Sequence, residues 1–368
     1  GIVMALQFGP QLLLLPWTGY AADHFNQRKL LMATQATMGA LPLALGLLTV
    51  GGVVQLWHVY GFAFLFGCAA AFDAPVRQTF VGELVGDADL PNAVALNSTS
   101  FNAARMIGPA IAGVVIAAAD TGWAFLINGA SFAAVLASLS LLRSSELRSH
   151  ARAPRDQGSL GSRLTGGLRY VWSRADLKAV LIMLFLIGTF GLNFQIFIAT
   201  MATRVFHADA RGYGLLSSVM AVGTVAGALL GAARAQPNFA ALLVGALLFG
   251  LGCSFAALAP TYWMFAAALV LIGLAALTVT NTTNSLMQLS TAPAMRGRVM
   301  ALRVGVALGG TPIGAPIVGW VADQFGPRWA LGVGAASGFA AAVVALSTIL
   351  RRDHLPREDM LSGGHARR

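Results

Sequence analysis

Asp73 and Arg77 stand four residues apart at the end of an apolar stretch, so a helix would place them on one face. Such a pair either ties the structure together locally or works as a gate. Burial disfavours the charged form of a carboxylate, so Asp73 in an apolar setting is a candidate for proton uptake. Arg77 also has the reach to meet Asp23. Arg105 lies near the middle of the apolar run 94–118. A charge there must face a helix-bundle interior or a water-filled cavity. It either binds an anionic group or ties two helices together. Asn102, Asn193 and Asn281 are further polar groups inside apolar runs. They either line a cavity or make interhelix hydrogen bonds.

Signals for enzyme chemistry are sparse. His354 and Asp359 have an acyltransferase-like spacing but lie in a polar tail with no core around them. No Gly-rich loop ending in Lys is present to cradle a nucleotide phosphate. Cys68 and Cys253 sit alone in apolar runs and suggest neither a metal nor a disulfide framework. The expectation is no metal and no cofactor.

The elements that must hold these residues are set by composition. The 368 residues are 57% hydrophobic and only 10% charged, against about 25% charged in soluble domains. A bilayer is the solvent in which so much apolar surface is stable. At about 20 residues per crossing, the candidate spans are 1–20, 30–52, 56–76, 94–118, 122–142, 178–201, 213–233, 239–259, 262–285, 300–322 and 328–350. The net charge of +10 sits mainly in alternate short loops. That pattern reads as positive-inside topology rather than nucleic-acid binding, with the basic loops and the C-terminus cytoplasmic. The basic Ser/Gly-rich segment 143–177 reads as a cytoplasmic linker. It separates a bundle over 1–142 from a second over 178–350, with a cytoplasmic tail at 351–368.

An internal repeat joins the two halves. Gly108-Pro-Ala-Ile-Ala-Gly113 matches Gly314-Ala-Pro-Ile-Val-Gly319 at an offset of 206 residues. At the same offset Trp123 meets Trp329, Ala124 meets Ala330 and Ser131 meets Ser337. Parallel repeats of this kind relate the halves of many secondary transporters.

The loop Gly19-Tyr-Ala-Ala-Asp23-His-Phe-Asn26-Gln-Arg28-Lys29 resembles the signature between helices two and three of the major facilitator superfamily. Gly19, Asp23 and Arg28 fall on its positions, while Asn26 and Gln27 depart from it. Asn26 is a mild departure, because Asn tolerates the left-handed turn. Phe72-Asp73-Ala-Pro75-Val-Arg77-Gln78, Asn102-Ala-Ala-Arg105-Met-Ile-Gly108-Pro109 and Arg296-Gly-Arg298-Val299 extend the likeness to about residue 350. Together they resemble the enterobactin-exporter-like branch of siderophore and drug exporters. Gly108, Pro109 and Gly113 resemble the antiporter signature of helix five, which implies close helix packing and favours export.

The resemblance implies an all-α membrane protein, a major facilitator fold of two pseudo-repeated bundles with about 11 transmembrane helices in this chain. The run 1–20 corresponds to helix two, so the expectation is that helix one lies outside this sequence. It further implies a bacterial inner-membrane, multi-pass exporter of a small molecule, driven by protons through alternating access and expected as a monomer in the lipid bilayer. Gly19, Asp23, Arg28, Asp73 and Arg77 would form a gate or latch. Arg105 with Asn102, Asn193 and Asn281 would line the pathway. A polytopic enzyme acting on lipids and a non-functional transporter fragment are the rival readings.

Overall fold

A computed structural model describes residues 1–14, 17–18, 25–85, 89–143, 160–232 and 238–353. Thirteen α-helices lie in these residues. The first five are α1 (Ile2–Leu13), α2 (Gln27–Val50), α3 (Leu56–Leu84), α4 (Leu90–Ala119) and α5 (Thr121–Leu141). After the linker come α6 (Leu160–Ser173), α7 (Ala175–Leu186), a π-turn (Ile187–Gly191) and α8 (Phe194–Arg204). The chain continues with α9 (Ala210–Ala232), α10 (Phe239–Leu258), α11 (Tyr262–Leu289), α12 (Pro293–Gln324) and α13 (Pro327–Asp353).

Nine helical stretches among the described residues are long and apolar enough to cross a membrane. Helices α1 and α4 occupy the other two apolar runs of the sequence. Local chemistry starts several of these helices. The side chains of Asn26, Asn238 and Thr261 accept from the backbone N–H of Lys29, Ala241 and Met264, which satisfies donors that a helix start leaves open.

The repeat is visible in the backbone. The α4–α5 turn pivots on Asp120 at φ 78°, and the α12–α13 turn on Gly326 at φ 98°. These residues are 206 apart, and at both the chain takes a positive φ, which L side chains rarely adopt, where one helix ends and the next begins at once. Trp123 and Trp329 each lie in the first turn after it and are exposed, as expected of aromatic side chains at a membrane interface.

Helix pairing follows the same symmetry. In the first bundle α2 packs on α5 and α1 on α3; in the second α10 packs on α13 and α9 on α11. The bundles meet mainly through α1 with α12 and α4 with α9, which are repeat mates of one another. Small residues permit these approaches, since lipid offers no hydrophobic drive for helix association. A methyl added at Gly113 would stand 2.6 Å from the Ala210 carbonyl, and one at Gly214 would stand 2.5 Å from that of Pro109. Gly1 lies against Ala315, Pro316 and Gly319. These contacts lie toward the face that carries the Asp120 and Gly326 turns.

Helix α6 lies within the stretch expected to be a linker. It docks on the start of α12: Gly167 abuts the Arg298 backbone, and Tyr170 Oη accepts from the Ala292 N–H at 3.3 Å. Val171 is buried there while Trp172 is exposed.

Candidate functional site

Asp73 lies on α3 with 1% of its surface exposed. Its Oδ1 accepts from Thr34 Oγ1 at 3.0 Å and from Gln35 Nε2 at 2.7 Å, both on α2. Its Oδ2 lies 3.3 Å from an Arg77 guanidinium nitrogen, one turn along the same helix. The carboxylate therefore joins α2 to α3 through two hydrogen bonds and to its own helix through an ion pair. Arg77 is exposed at the other end of that pair.

Arg28, at the start of α2, donates through Nε to the Leu139 carbonyl and through a terminal nitrogen to that of Ser140, both at 2.7 Å. These carbonyls belong to the last turn of α5, where helical partners run out and a cation is favoured. Arg328 makes the mirrored clamp in the second bundle. From the start of α13 it donates to the Ala257 and Ala259 carbonyls at the end of α10, at 2.6 and 3.0 Å. Each antiparallel pair is thus fastened at one end, but on opposite faces of the protein.

Between the bundles lies a cavity of about 290 Å³. Phe8 of α1 and Pro109 of α4 form one wall. Phe194 and Gln195 of α8, Tyr213, Ser217 and Thr224 of α9, and Thr311 of α12 form the other. The lining is aromatic and neutral polar, with no charged side chain among the described residues. The second wall begins where α7 gives way to the π-turn. Asn193 is buried and donates through Nδ2 to the Thr189 carbonyl at 2.7 Å, closing off the break. Gly310 and Gly314 bring α12 against Thr189; a methyl at Gly314 would overlap the Thr189 carbonyl. A π-turn leaves backbone groups imperfectly paired and is often found at functional sites.

Several residues singled out from sequence meet in this arrangement. Pro109 lines the cavity, Gly113 forms the seam beside it, and Asp73 pairs with Arg77. Gly108 faces open space, although its repeat mate Gly314 is tightly packed. Asn281 is exposed on α11 and is not among the cavity-lining residues. The side chain of Asn193 turns to the backbone, while Gln195, two residues on, lines the cavity. Gly19 and Asp23 lie outside the described residues, as do the side chains of Asn102 and Arg105. Arg105 belongs to α4 one turn before Pro109, and its repeat mate is the cavity residue Thr311. The α9 wall was legible in principle, because Tyr213, Ser217 and Thr224 recur at helical spacing on one face.

A family model described as transmembrane secretion effector, a major facilitator family, matches residues 2–363. The chain belongs to this major facilitator family. That family is one of multi-pass membrane transporters rather than of enzymes acting on lipids. The chain is 26% identical over 234 residues to the staphyloferrin A transporter of Staphylococcus aureus, covering 62% of this chain and 57% of that one. The match thus spans a little over half of that transporter's length. It is 25% identical to the multidrug efflux pump Tap of Mycobacterium tuberculosis, over 88% of this chain and 79% of the pump. It is 24% identical to the enterobactin exporter EntS of Citrobacter koseri, over 92% of this chain and 80% of the exporter. These relatives thus include siderophore transporters and a drug efflux pump.

Among solved structures, the nucleoside transporter NupG aligns with a TM-score of 0.71 at 15% identity, over 94% of this chain and 90% of that one. A bacterial homologue of the lysosomal transporter Spinster, inward-facing and unoccupied, aligns with a TM-score of 0.64 at 15% identity. That alignment covers 94% of this chain and 87% of the homologue. These likenesses bear on the fold alone, and the fold is the major facilitator fold.

Proposed function

We propose that this major facilitator protein exports a small amphipathic molecule across the bacterial inner membrane by alternating access, with protons as the coupling ion. The observation that carries this reading is the cavity between the bundles, with aromatic and neutral polar walls drawn from both repeats. The Gly113–Gly214 seam and the Gly1 contact on α12 lie to one side of it. On the opposite side the halves carry exposed polar residues, Asn97 and Ser100 on α4 and Asn281 and Gln288 on α11. With the basic loops and the C-terminus taken as cytoplasmic, this arrangement is inward-facing. Rocking of the bundles about the cavity would then open the seam and release substrate outward.

The glycine contacts suit such motion, since backbones in van der Waals contact can part without breaking side-chain pairs. Asp73, Arg77 and Arg28, with Gly19 and Asp23, act at the cytoplasmic gate in this reading. Arg105 and Asn102 belong to the α4 wall; the spacing of Arg105 from Pro109 and its mate Thr311 support that placement. The protein acts as a monomer in this reading, since one chain supplies both walls.

The test is efflux from bacterial cells lacking their own exporters, using the full gene product and a panel of siderophores and drugs. The expected result is export that a protonophore abolishes and that falls in Asp73→Asn and Arg105→Ala. A well-expressed, correctly inserted protein that moves nothing on the panel overturns the substrate class. Export that persists with the proton gradient collapsed overturns the coupling.

A further inference from the structure

Arg303 is a cation with no carboxylate paired to it among the described residues. It lies on α12 five residues past Arg298, where the apolar part of this helix begins, which is about 7.5 Å along the axis at 1.5 Å per residue. That depth is about a quarter of a ~30 Å hydrocarbon core, inside the apolar span Arg298–Gln324. A charge at such depth is costly unless water or a partner reaches it.

Several other arginines are paired with a carboxylate or cap a helix end. Arg77 has Asp73, Arg174 has Asp176 and Arg204 has Asp323. Arg28 and Arg328 each cap two carbonyls at a helix end. Arg303 makes one long bond, 3.3 Å, from a terminal nitrogen to the carbonyl of Thr280 in mid-helix α11. That carbonyl already serves the helical N–H of Asn284. The Nε of Arg303 is buried with no hydrogen-bond partner. Among the described residues no carboxylate lies within ion-pair distance of it.

Its surroundings are polar where lipid would demand apolar groups. From Thr280 onward α11 presents Asn281, Asn284, Ser285 and Gln288, spaced to share one face. Asn281 and Gln288 are exposed, and Asn284 and Ser285 are half-buried. The half-buried Arg303 meets this helix at the Thr280 carbonyl, one residue before Asn281. Two turns farther along α12, Thr311 lines the neutral central cavity.

We propose that Arg303, with the amides of Asn281 and Asn284, forms a binding site for the carboxylate of an anionic substrate. The site stands between the basic-loop face and the central cavity. The planar guanidinium offers parallel N–H donors matched to the two oxygens of a carboxylate, and its unpaired Nε is one of them. The neutral amides complete the shell without competing for the anion. The apolar body of the same molecule would occupy the aromatic cavity beyond. This rests on the transport reading above and narrows its substrates to amphipathic acids, disfavouring purely cationic drugs.

The experiment uses the full gene product in proteoliposomes with an imposed pH gradient, and two dyes, anionic carboxyfluorescein and cationic ethidium. The parent is expected to favour carboxyfluorescein. Arg303→Gln should lower carboxyfluorescein transport at least tenfold more than ethidium transport, and Arg303→Lys should recover part of it. Equal losses for both dyes would make Arg303 a structural tie and overturn the proposal. A rise in ethidium transport with carboxyfluorescein unchanged would make it a charge barrier and also overturn it. Binding is read separately, as the citrate-dependent rise in thermal midpoint of the purified protein. A rise in the parent that Arg303→Gln abolishes supports the site even if no dye moves, in which case only the transport reading fails. No rise in the parent overturns the site.

Discussion

Gln35 on α2 donates a 2.7 Å hydrogen bond to Asp73 on α3, and both side chains are buried. Thr34 donates to the same oxygen. The other oxygen faces Arg77. One carboxylate thus serves two tasks that substitution can separate.

Asp73→Asn keeps an acceptor oxygen for Thr34 and Gln35 and removes the charge that holds Arg77. The expected outcome is a folded protein with a thermal midpoint near the parent's and transport reduced several-fold. Asp73→Ala leaves the buried Gln35 amide without its acceptor and should cost about 1–3 kcal/mol, while Thr34 keeps the Leu31 carbonyl. Thermal unfolding in detergent and transport in the same preparations check this. Equal loss of stability in both variants would leave the carboxylate a purely structural role.

Gly314 and Gly108 are repeat mates in unlike surroundings. Gly314→Ala places a methyl on the Thr189 carbonyl, while Gly108→Ala meets open space. Overpacking of this kind costs about 1–3 kcal/mol. The melting temperature should fall for Gly314→Ala and stay within error for Gly108→Ala. A fall in Gly108→Ala in the full gene product would be the mark of a helix seated on that face.

Gly113 and Gly214 close the seam between α4 and α9. Gly214→Leu should pry the bundles apart on that side and favour the opposite state. Spin labels on exposed Val114 and Leu215 would report longer distances than in the parent. Unchanged distances would mean that the seam does not govern the equilibrium.

Arg28→Ala removes two charged donors from the end of α5. Both bonds are partly open to solvent, so the expected loss is about 1–2 kcal/mol rather than the full value for buried charged bonds. Arg28→Lys should recover less than half, because an ammonium lacks the fork that spans two carbonyls. Hydrogen exchange of the last turn of α5 is the direct readout.

What the sequence determined by itself is local or additive. Hydrophobic runs of bilayer length required crossing helices, whatever their neighbours. The 206-residue offset related the two halves, and Asp120 and Gly326, at that same offset, both turn the chain at a positive φ. The pairing of Asp73 with Arg77 followed from helical spacing alone. Helix α6 escaped the reading because Gly166, Gly167 and scattered arginines look like linker. It is α12, through the Arg298 backbone, that gives this short helix a surface to pack on.

The tertiary structure decided the rest. Thr34 and Gln35 meet Asp73 from nearly forty residues away, and Arg28 finds carbonyls more than a hundred residues on. Lipid-facing and protein-facing surfaces of a membrane helix are both apolar, so periodicity does not reveal which glycine packs and which stands open. That is why Gly108 and Gly314 read alike in sequence and differ in space. The same holds for cations. Arg303 and Arg105 both interrupt apolar runs in the sequence, and only the packing of α12 on α11 leaves the Nε of Arg303 without a partner.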